Sequence, residues 1–342
     1  MTTRATSPAA PRPPAARPLD TQILSALREA GGGSVSGAEL AQHLGISRAA
    51  VWARIEELRK LGYDIAAGPH LGYRLVAVPD VLHADDLLSR LGSTEVVGRD
   101  IRVFQETTST NDVAERLARD GVPEGVVVFA ESQSRGRGRL GRAWLSPARR
   151  GLWFSLLLRP DVRPQEATRL TVMAGAALAR AVVRQTGLPA GIKWPNDLLV
   201  RGRKVAGILT ELSAELDHVR YVVLGIGVDV NLTAGDFPPD LRRQASSLQI
   251  ETGHPVDRAE LAVVILRELD QTYARLRLGQ FEALADEWES LCTTLGREVV
   301  IRLGDRQVRG RAESLDAAGA LLVRTQHGRL ERITGGDVTL ER

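Results

Sequence analysis

The sequence predicts an α/β protein of several domains: an N-terminal winged helix-turn-helix, a central mixed α/β domain and a strand-rich C-terminal tail. Two short apolar-faced helices flank the tight turn "LGIS" and precede a hairpin pattern. Strand-like and helix-like runs alternate from Ile101 onward, and after Gly296 the chain is strand-rich, with Gly304-Asp305, Gly319 and Gly328 marking turns. At 342 residues and 43 % hydrophobic content the chain is long enough for two or three domains.

The opening "MTTRATSPAAPRPPAARP", residues 1–18, carries proline and arginine where a secretion signal needs an apolar core, and is expected to be disordered. "LDTQILSALREA" then puts Ile23, Leu24 and Leu27 on one helical face, and "GGGSVSG" breaks the pattern. "SGAELAQHLG" opens with a Ser36 cap and Glu39 three residues later, as a reciprocal capping box requires, and stops at Gly45. "ISRAAVWARIEELRKLG" restarts at a Ser47 cap and turns Ala50, Val51, Ile55 and Leu58 inward; "YDIAAGPHLGYRLV" reads as two short strands around Gly68 and Pro69. In this arrangement Ser47, Arg48 and Ala49 face base edges, while Arg54, Arg59 and Lys60 reach phosphates. A three-helix protein-interaction module explains the helices equally well, and Glu56 and Glu57 oppose phosphate if they face a groove.

"AVPDVLHADDLLSRLGSTEVVGRD" links this module to the rest. "IRVFQE" is a strand, "TTSTN" a polar turn and "DVAERLARDG" a helix stopped at Gly121; "GVVVFAESQ" and "GLWFSLLLRP" are strands, and "QEATRLTVMAGAALARAVVRQTG" is a long helix whose alanines allow close packing on a sheet. "IKWPNDLLVRGRKVAGILTE" reads as a strand ending in the corner Lys193 to Asp197, then a hairpin turned at Arg201-Gly202. On its return strand Lys204, Ala206 and Ile208 share one face by simple alternation, opposite Val205, Gly207 and Leu209. "VVLGIGVDVN" places Gly225 and Gly227 inside a strand, which implies close approach of a ligand or another backbone.

Between two strands, "SRGRGRLGR" concentrates Arg135, Arg137, Arg139 and Arg142 among glycines with no acid. Such charge is costly to fold unless something anionic offsets it. An RNA-tracking segment is one reading, although those usually repeat and this one occurs once. Each neighbouring signal has its ordinary reading too: Lys204 a solvated strand edge, "TTSTN" a helix-capping turn, and Trp144, Trp153 and Trp194 core or pocket wall. A net charge of +3 makes any nucleic-acid contact a matter of a local patch. The single cysteine, Cys292, cannot form an internal disulfide, and six histidines show no zinc spacing; a reducing, cytoplasmic setting is the simplest reading. No apolar run approaches the ~18 residues of a membrane span.

Taken together and in this order, "STN", "GRGRLGRAW", "KWPNDLLV", "KVAGILTE" and "GIGVDVN" closely resemble the biotin protein ligases, specifically the bifunctional bacterial type that also serves as biotin operon repressor. The resemblance implies a winged helix-turn-helix over 19–78, a catalytic domain over 79–294 and an SH3-like barrel over 295–342. It implies ATP with Mg²⁺ and biotin as reactants, biotinyl-5′-AMP as intermediate and corepressor, and a biotin carboxyl carrier protein, operator DNA and a second copy of the chain as partners. It sets Ser109, Thr110, Asn111 and Gln133 around the ureido ring of biotin, and Arg137, Gly138, Arg139 and Lys204 on its carboxylate and the transferring phosphoryl group. Arg139, Arg142, Trp144, Asn196, Asp197 and Asp229 fall to the nucleotide, no metal ligands being fixed by the sequence. Two positions depart from the family pattern: Leu140 stands where many members carry a third arginine, and Asp229 where asparagine is usual. A lipoate-type ligase of the same fold and a ligand-sensing DNA-binding regulator without turnover are the alternatives.

Overall fold

The computed structural model describes residues 18–68 and 71–340, which divide into two compact units at Pro79 and Asp80. The N-terminal tail expected to be disordered lies, apart from Pro18, outside the described residues, as does the tip of the first hairpin.

The first unit contains α1 (Leu19–Glu29), α2 (Gly37–Leu44), α3 (Arg48–Lys60) and the antiparallel pair β1 (Asp64–Gly68) and β2 (Gly72–Ala77). The capping box forms as read: the Ser36 hydroxyl accepts from the Ala38 N–H at 3.1 Å and the Glu39 carboxylate from the Ser36 N–H at 3.2 Å. Gly45 closes α2 in the left-handed conformation, and the Ser47 hydroxyl caps α3 through the Ala50 N–H. Ile23, Leu24, Leu27, Leu40, Val51, Ile55 and Leu58 make the core. Val35 bridges Tyr73 beside the hairpin, with backbone so close that a Cβ on Gly72 would sit 2.2 Å from the Val35 carbonyl oxygen. This is a winged helix-turn-helix.

The second unit begins with α4 (Ala84–Leu91), a helix inside the segment expected to be a linker; its buried Leu87 and Leu91 join the main core. Then come β3 (Asp100–Thr107), α5 (Thr110–Arg119), β4 (Val126–Gln133), β5 (Leu152–Leu158), α6 (Thr168–Thr186), β6 (Ala190–Lys193), β7 (Asp197–Val200), β8 (Arg203–Ala214) and β9 (Val219–Val228). The seven strands form one sheet in the order β3-β4-β5-β9-β8-β7-β6, antiparallel except for the β3–β4 pair. Three helices not anticipated from the sequence follow: α7 (Leu248–Thr252), α8 (Arg258–Arg277) and α9 (Phe281–Leu291). β10 (Glu298–Leu303), β11 (Arg306–Leu315), β12 (Leu321–Thr325), β13 (Leu330–Ile333) and β14 (Asp337–Leu340) make a five-stranded antiparallel sheet. No helix among the described residues is long and apolar enough to cross a membrane.

Alternation along the central strands gives the sheet two different faces. Phe154, Leu156, Leu224, Ile226 and Val228 belong to the large core with α6 and α8. The opposite face buries Leu157 and Val223 against Ala114 and Ala118 of α5. Beyond α5 that second face carries Gly207, Gly225 and Gly227 in place of bulky side chains, and it stays open.

One buried ion pair ties the domain's parts together. The Arg258 side chain, fully buried at the start of α8, donates to Glu131 of β4 at 2.7 and 3.3 Å, to Asp80 at 3.0 Å and to the Gly151 carbonyl at 3.3 Å. Glu131 also accepts from the Leu82 N–H at 2.7 Å, so neither charge is left alone. Arg258→Ala would strand the Glu131 carboxylate in the core and is expected to cost about 3–5 kcal/mol in urea unfolding. The double change Arg258→Met with Glu131→Gln should restore much of that loss, because no bare charge then remains.

Candidate active site

The open face of the sheet forms the floor of a cleft of about 610 Å³. A Cβ at Gly225 would lie 2.3 Å from Asn111 Oδ1, and one at Gly227 would lie 2.5 Å from Trp144 Nε1. These two strand positions therefore admit only glycine while Asn111 and Trp144 occupy their seats. Trp144 stands edge-on to the buried Trp153 at 6.5 Å, and its indole N–H is buried without a hydrogen-bond partner among the described residues.

Lys204 reaches this floor through a defect in the ladder. β7 and β8 pair Leu198 with Ala206 but Leu199 with Lys204, so Val205 is an extra residue on one side, a β-bulge. Simple alternation puts Lys204 on the face of Ala206 and Ile208; the bulge turns it over to the face of Gly207 instead. Its ammonium lies 5.0 Å from the Trp144 ring centroid and 2.6 Å from Asp197 Oδ1.

At one end of the cleft, Ser109, Thr110 and Asn111 are each 3 % exposed at the start of α5. Gln133 Oε1 accepts from the Thr110 N–H at 2.8 Å, and Gln133 Nε2 donates to Ser146 at 2.9 Å. Ser155 donates to Thr110 at 2.7 Å and to Asn111 Oδ1, while Asn111 Nδ2 donates to Glu211 at 2.7 Å. The capping-turn reading of "TTSTN" is only part of the truth, since no side-chain cap bond forms at Ser109. The polar side chains turn into the cleft.

Two of the loop's arginines find acids elsewhere in the chain. Arg137 donates to Glu211 at 3.0 and 3.2 Å and to Asp112 at 2.5 Å, and these bonds hold its guanidinium more firmly protonated than usual. Arg142 pairs with Asp337 of the C-terminal sheet. Arg139 is different: its hydrogen bond goes to the neutral Asn196 Oδ1 at 3.1 Å, and burial lowers its affinity for the proton although Asp197 and Asp337 counter this. It is a half-buried cation held by a neutral partner, from which an incoming anion gains more than from a cation already paired with an acid.

Thus Ser109, Thr110, Asn111, Gln133, Arg137, Gly138, Arg139, Arg142, Trp144, Asn196, Asp197, Lys204 and Asp229 all line this one cleft. Sequence reasoning missed Glu211, Asp112 and Ser155, which hydrogen-bond to cleft residues, and, on the wall itself, the segment around Phe237, Leu241 and Arg243 and the stretch from Gly336 to Val338 at the last strand. The paired glycines opposite Ser155 and Asn111 were the available signal for those buried partners. In the other unit Ser47, Arg48 and Ala49 are exposed at the head of α3. Arg54, expected at phosphate, is bonded to Asp20 of α1 at 2.7 Å, and Arg59 reaches the Ile65 carbonyl at 2.9 Å. Glu56 and Glu57 are neutralised within α3 by Arg59 at 2.6 Å and Lys60 at 2.8 Å.

The chain is similar to known proteins along most of its length. Residues 103–229 match the biotin/lipoate A/B protein ligase family, 20–74 an HTH domain, and 294–340 the biotin protein ligase C-terminal domain. The bifunctional ligase/repressor BirA of Bacillus spizizenii is 38 % identical over 94 % of this chain and 98 % of its own length. The chain belongs to the bifunctional ligase/repressor family of biotin protein ligases. The Escherichia coli member is 33 % identical over 89 % of this chain and 92 % of its own. Among solved structures, a biotin protein ligase from Aquifex aeolicus in complex with biotin and ATP is 32 % identical, with a TM-score of 0.61 over 71 % of this chain and 99 % of that one.

Asp229 is 6 % exposed, and burial raises its carboxyl affinity for the proton well above the ordinary level despite nearby Lys204. The folded state therefore keeps this proton at a pH where the unfolded chain has lost it, so stability falls as pH rises from the usual carboxylate range toward the folded value. Asp229→Asn cannot ionise. Thermal unfolding between about pH 5 and 8 should show the variant gaining most over the parent at the upper end; an equal effect at both ends would mean that Asp229 is ionised throughout.

Proposed function

We propose that this chain activates biotin with ATP and transfers it to a lysine of a biotin carboxyl carrier protein, and that its winged helix represses biotin genes when the adenylate is bound. The observation that carries the reading is the convergence of Arg139 and Lys204, from distant segments, on one glycine-floored cleft with a buried polar corner at its end. That corner, with Asn111, Thr110 and Gln133 already oriented by hydrogen bonds, suits a cyclic urea, which offers one acceptor and two donors. The apolar indole of Trp144 lies along the path from there to the cations.

In the first step a biotin carboxylate oxygen attacks the α-phosphorus of ATP, the α–β phosphoanhydride bond breaks, and pyrophosphate leaves. Arg139 and Lys204 stabilise the charge gathered on carboxylate and phosphoryl oxygens, the interaction that strengthens most in the transition state. In the second step the neutral amine of the carrier lysine attacks the mixed anhydride, AMP departs, and the amine proton passes to solvent. Arg139 and the glycines around it keep water from the anhydride until then. Among the described residues no group of three or more carboxylate, histidine or cysteine side chains stands ready as a metal cage. Mg²⁺ would enter with the nucleotide, held mainly by substrate phosphates with Asp197 nearby, and would supply neutralising charge. The setting is cytoplasmic, where carboxylase carriers and operator DNA are both within reach.

For the repressor role, Ser47, Arg48 and Ala49 enter the groove of operator DNA. Arg54, committed to Asp20, orients α3 rather than binding phosphate. Adenylate-dependent pairing of two copies doubles the few phosphate contacts that one unit offers.

Incubation with ATP, Mg²⁺, biotin and a carrier domain, followed by intact-mass measurement of that carrier, tests the ligase. Lys204→Gln should lower pyrophosphate release by roughly 10²–10³-fold with the fold intact; a near-normal rate would remove Lys204 from the site. Deleting residues 1–78 should leave carrier biotinylation largely intact and abolish retention of DNA upstream of biotin-synthesis genes in a gel shift. For the intact protein, DNA affinity that ignores biotin and ATP would leave a ligase without the repressor role.

A further inference from the structure

Glu211 occupies an unusual position between two parts of the site. Its Oε2 accepts from Asn111 Nδ2 at 2.7 Å and from Arg137 Nη2 at 3.0 Å, and its Oε1 accepts from Arg137 Nε at 3.2 Å. Asn111 is a pocket wall, its side chain seated over Gly225 and its oxygen held by Ser155, with one hydrogen of its amide nitrogen left for a ligand. Arg137 is the base of the arginine loop. On its N-terminal side Ser134 and Arg135 donate backbone bonds to Thr107 and Thr108 at 3.0 and 2.9 Å, and beyond it Arg137 bridges Ala143. The tip, Gly138 to Arg142, is closed by the bond from the Gly138 N–H to the Arg142 carbonyl at 2.7 Å, with Leu140 at φ 57° and Gly141 at φ 72°. The loop is thus a fixed root and a short strained tip, and Glu211 is bonded at once to that root and to the pocket.

We propose that Glu211 is a positioning residue that couples biotin in the pocket to closure of the arginine loop, and that Arg137 acts as the anchor of this coupling rather than as a ligand of the biotin carboxylate. The inference rests on the biotin reading of the Asn111 corner. A ureido carbonyl accepting from the second hydrogen of Asn111 Nδ2 fixes that amide, the fixed amide holds Glu211, and Glu211 holds the guanidinium from which the tip extends. Linkage makes the effect reciprocal: if biotin steadies the loop by some factor, an anchored loop tightens biotin by the same factor. Asp112, at 2.5 Å from Arg137 Nη1, keeps the guanidinium in place but touches only the loop side of the relay. Removing Asp112 weakens the anchor without severing the connection to Asn111.

Trypsin reads the loop directly, since its arginines are cleavage sites. Full-length parent, Glu211→Gln and Asp112→Asn would be digested with and without saturating biotin, and biotin affinity measured by calorimetry. The parent should be protected by biotin. Glu211→Gln should lose about fivefold or more in biotin affinity and a matching factor in protection, while Asp112→Asn raises cleavage in both states and keeps most of the ratio. Arg137→Lys, which keeps the charge but not the two-pronged grip, serves as the second variant if Glu211→Gln fails to fold, and should behave like it. A Glu211→Gln protein cleaved faster by the same factor with and without biotin would reduce Glu211 to a structural residue and overturn the coupling. A parent that binds biotin without any protection would overturn it too. A parent that does not bind biotin would instead overturn the ligase reading on which it stands.

Discussion

The buried ion pair of Arg258 and Glu131 is the constraint on which the rest of the catalytic unit depends. Glu131 sits two residues before the end of β4, and the Gly151 carbonyl, which Arg258 also holds, directly precedes β5. The long excursion carrying the arginines leaves the sheet after the first and returns at the second. Both roots of a glycine-rich segment are therefore fixed by one guanidinium that cannot be solvated and cannot move without stranding a charge. A loop that must open and close over a reactive intermediate needs rigid roots, so that entropy is spent at the tip alone.

Above that frame the site is made largely by what is missing. Strands β8 and β9 give up side chains at Gly207, Gly225 and Gly227, and the space is taken by Asn111, Trp144 and the stem of Lys204. The loss of strand stability at glycine is offset by the packing of two residues that arrive from other segments. The same economy appears at Val205, where one unpaired residue reverses the face of everything N-terminal to it in β8. Without that bulge the lysine would point into the core beside α6, where a charge has no partner.

Charge in the cleft is arranged by the same convergence. Arg137 is answered by Glu211 and Asp112, and Arg142 by Asp337 of a different sheet. Arg139 alone in this set rests on a neutral amide. The differential matters more than the total: a site in which every cation were already paired would bind an anion weakly, and one in which none were paired would repel its own loop open.

The sequence by itself determined the winged helix-turn-helix, the capping box at Ser36, the hairpin at Arg201-Gly202 and the residue types of the cleft, because each of these is a local matter. Caps and turns are set by neighbours a few residues apart, and faces by periodicity within one element. The helices α4, α7, α8 and α9 were less legible, since α8 is buried almost all round and shows a weak stripe while α4 and α7 are short. What only the tertiary structure decided was partnership: that Arg54 belongs to Asp20, that Arg137 belongs to Glu211 seventy-four positions away, and that Lys204 faces the cleft. Those choices depend on register, on one bulge and on which strands become neighbours, and a linear pattern of charges is compatible with many such pairings until the packed sheet admits one.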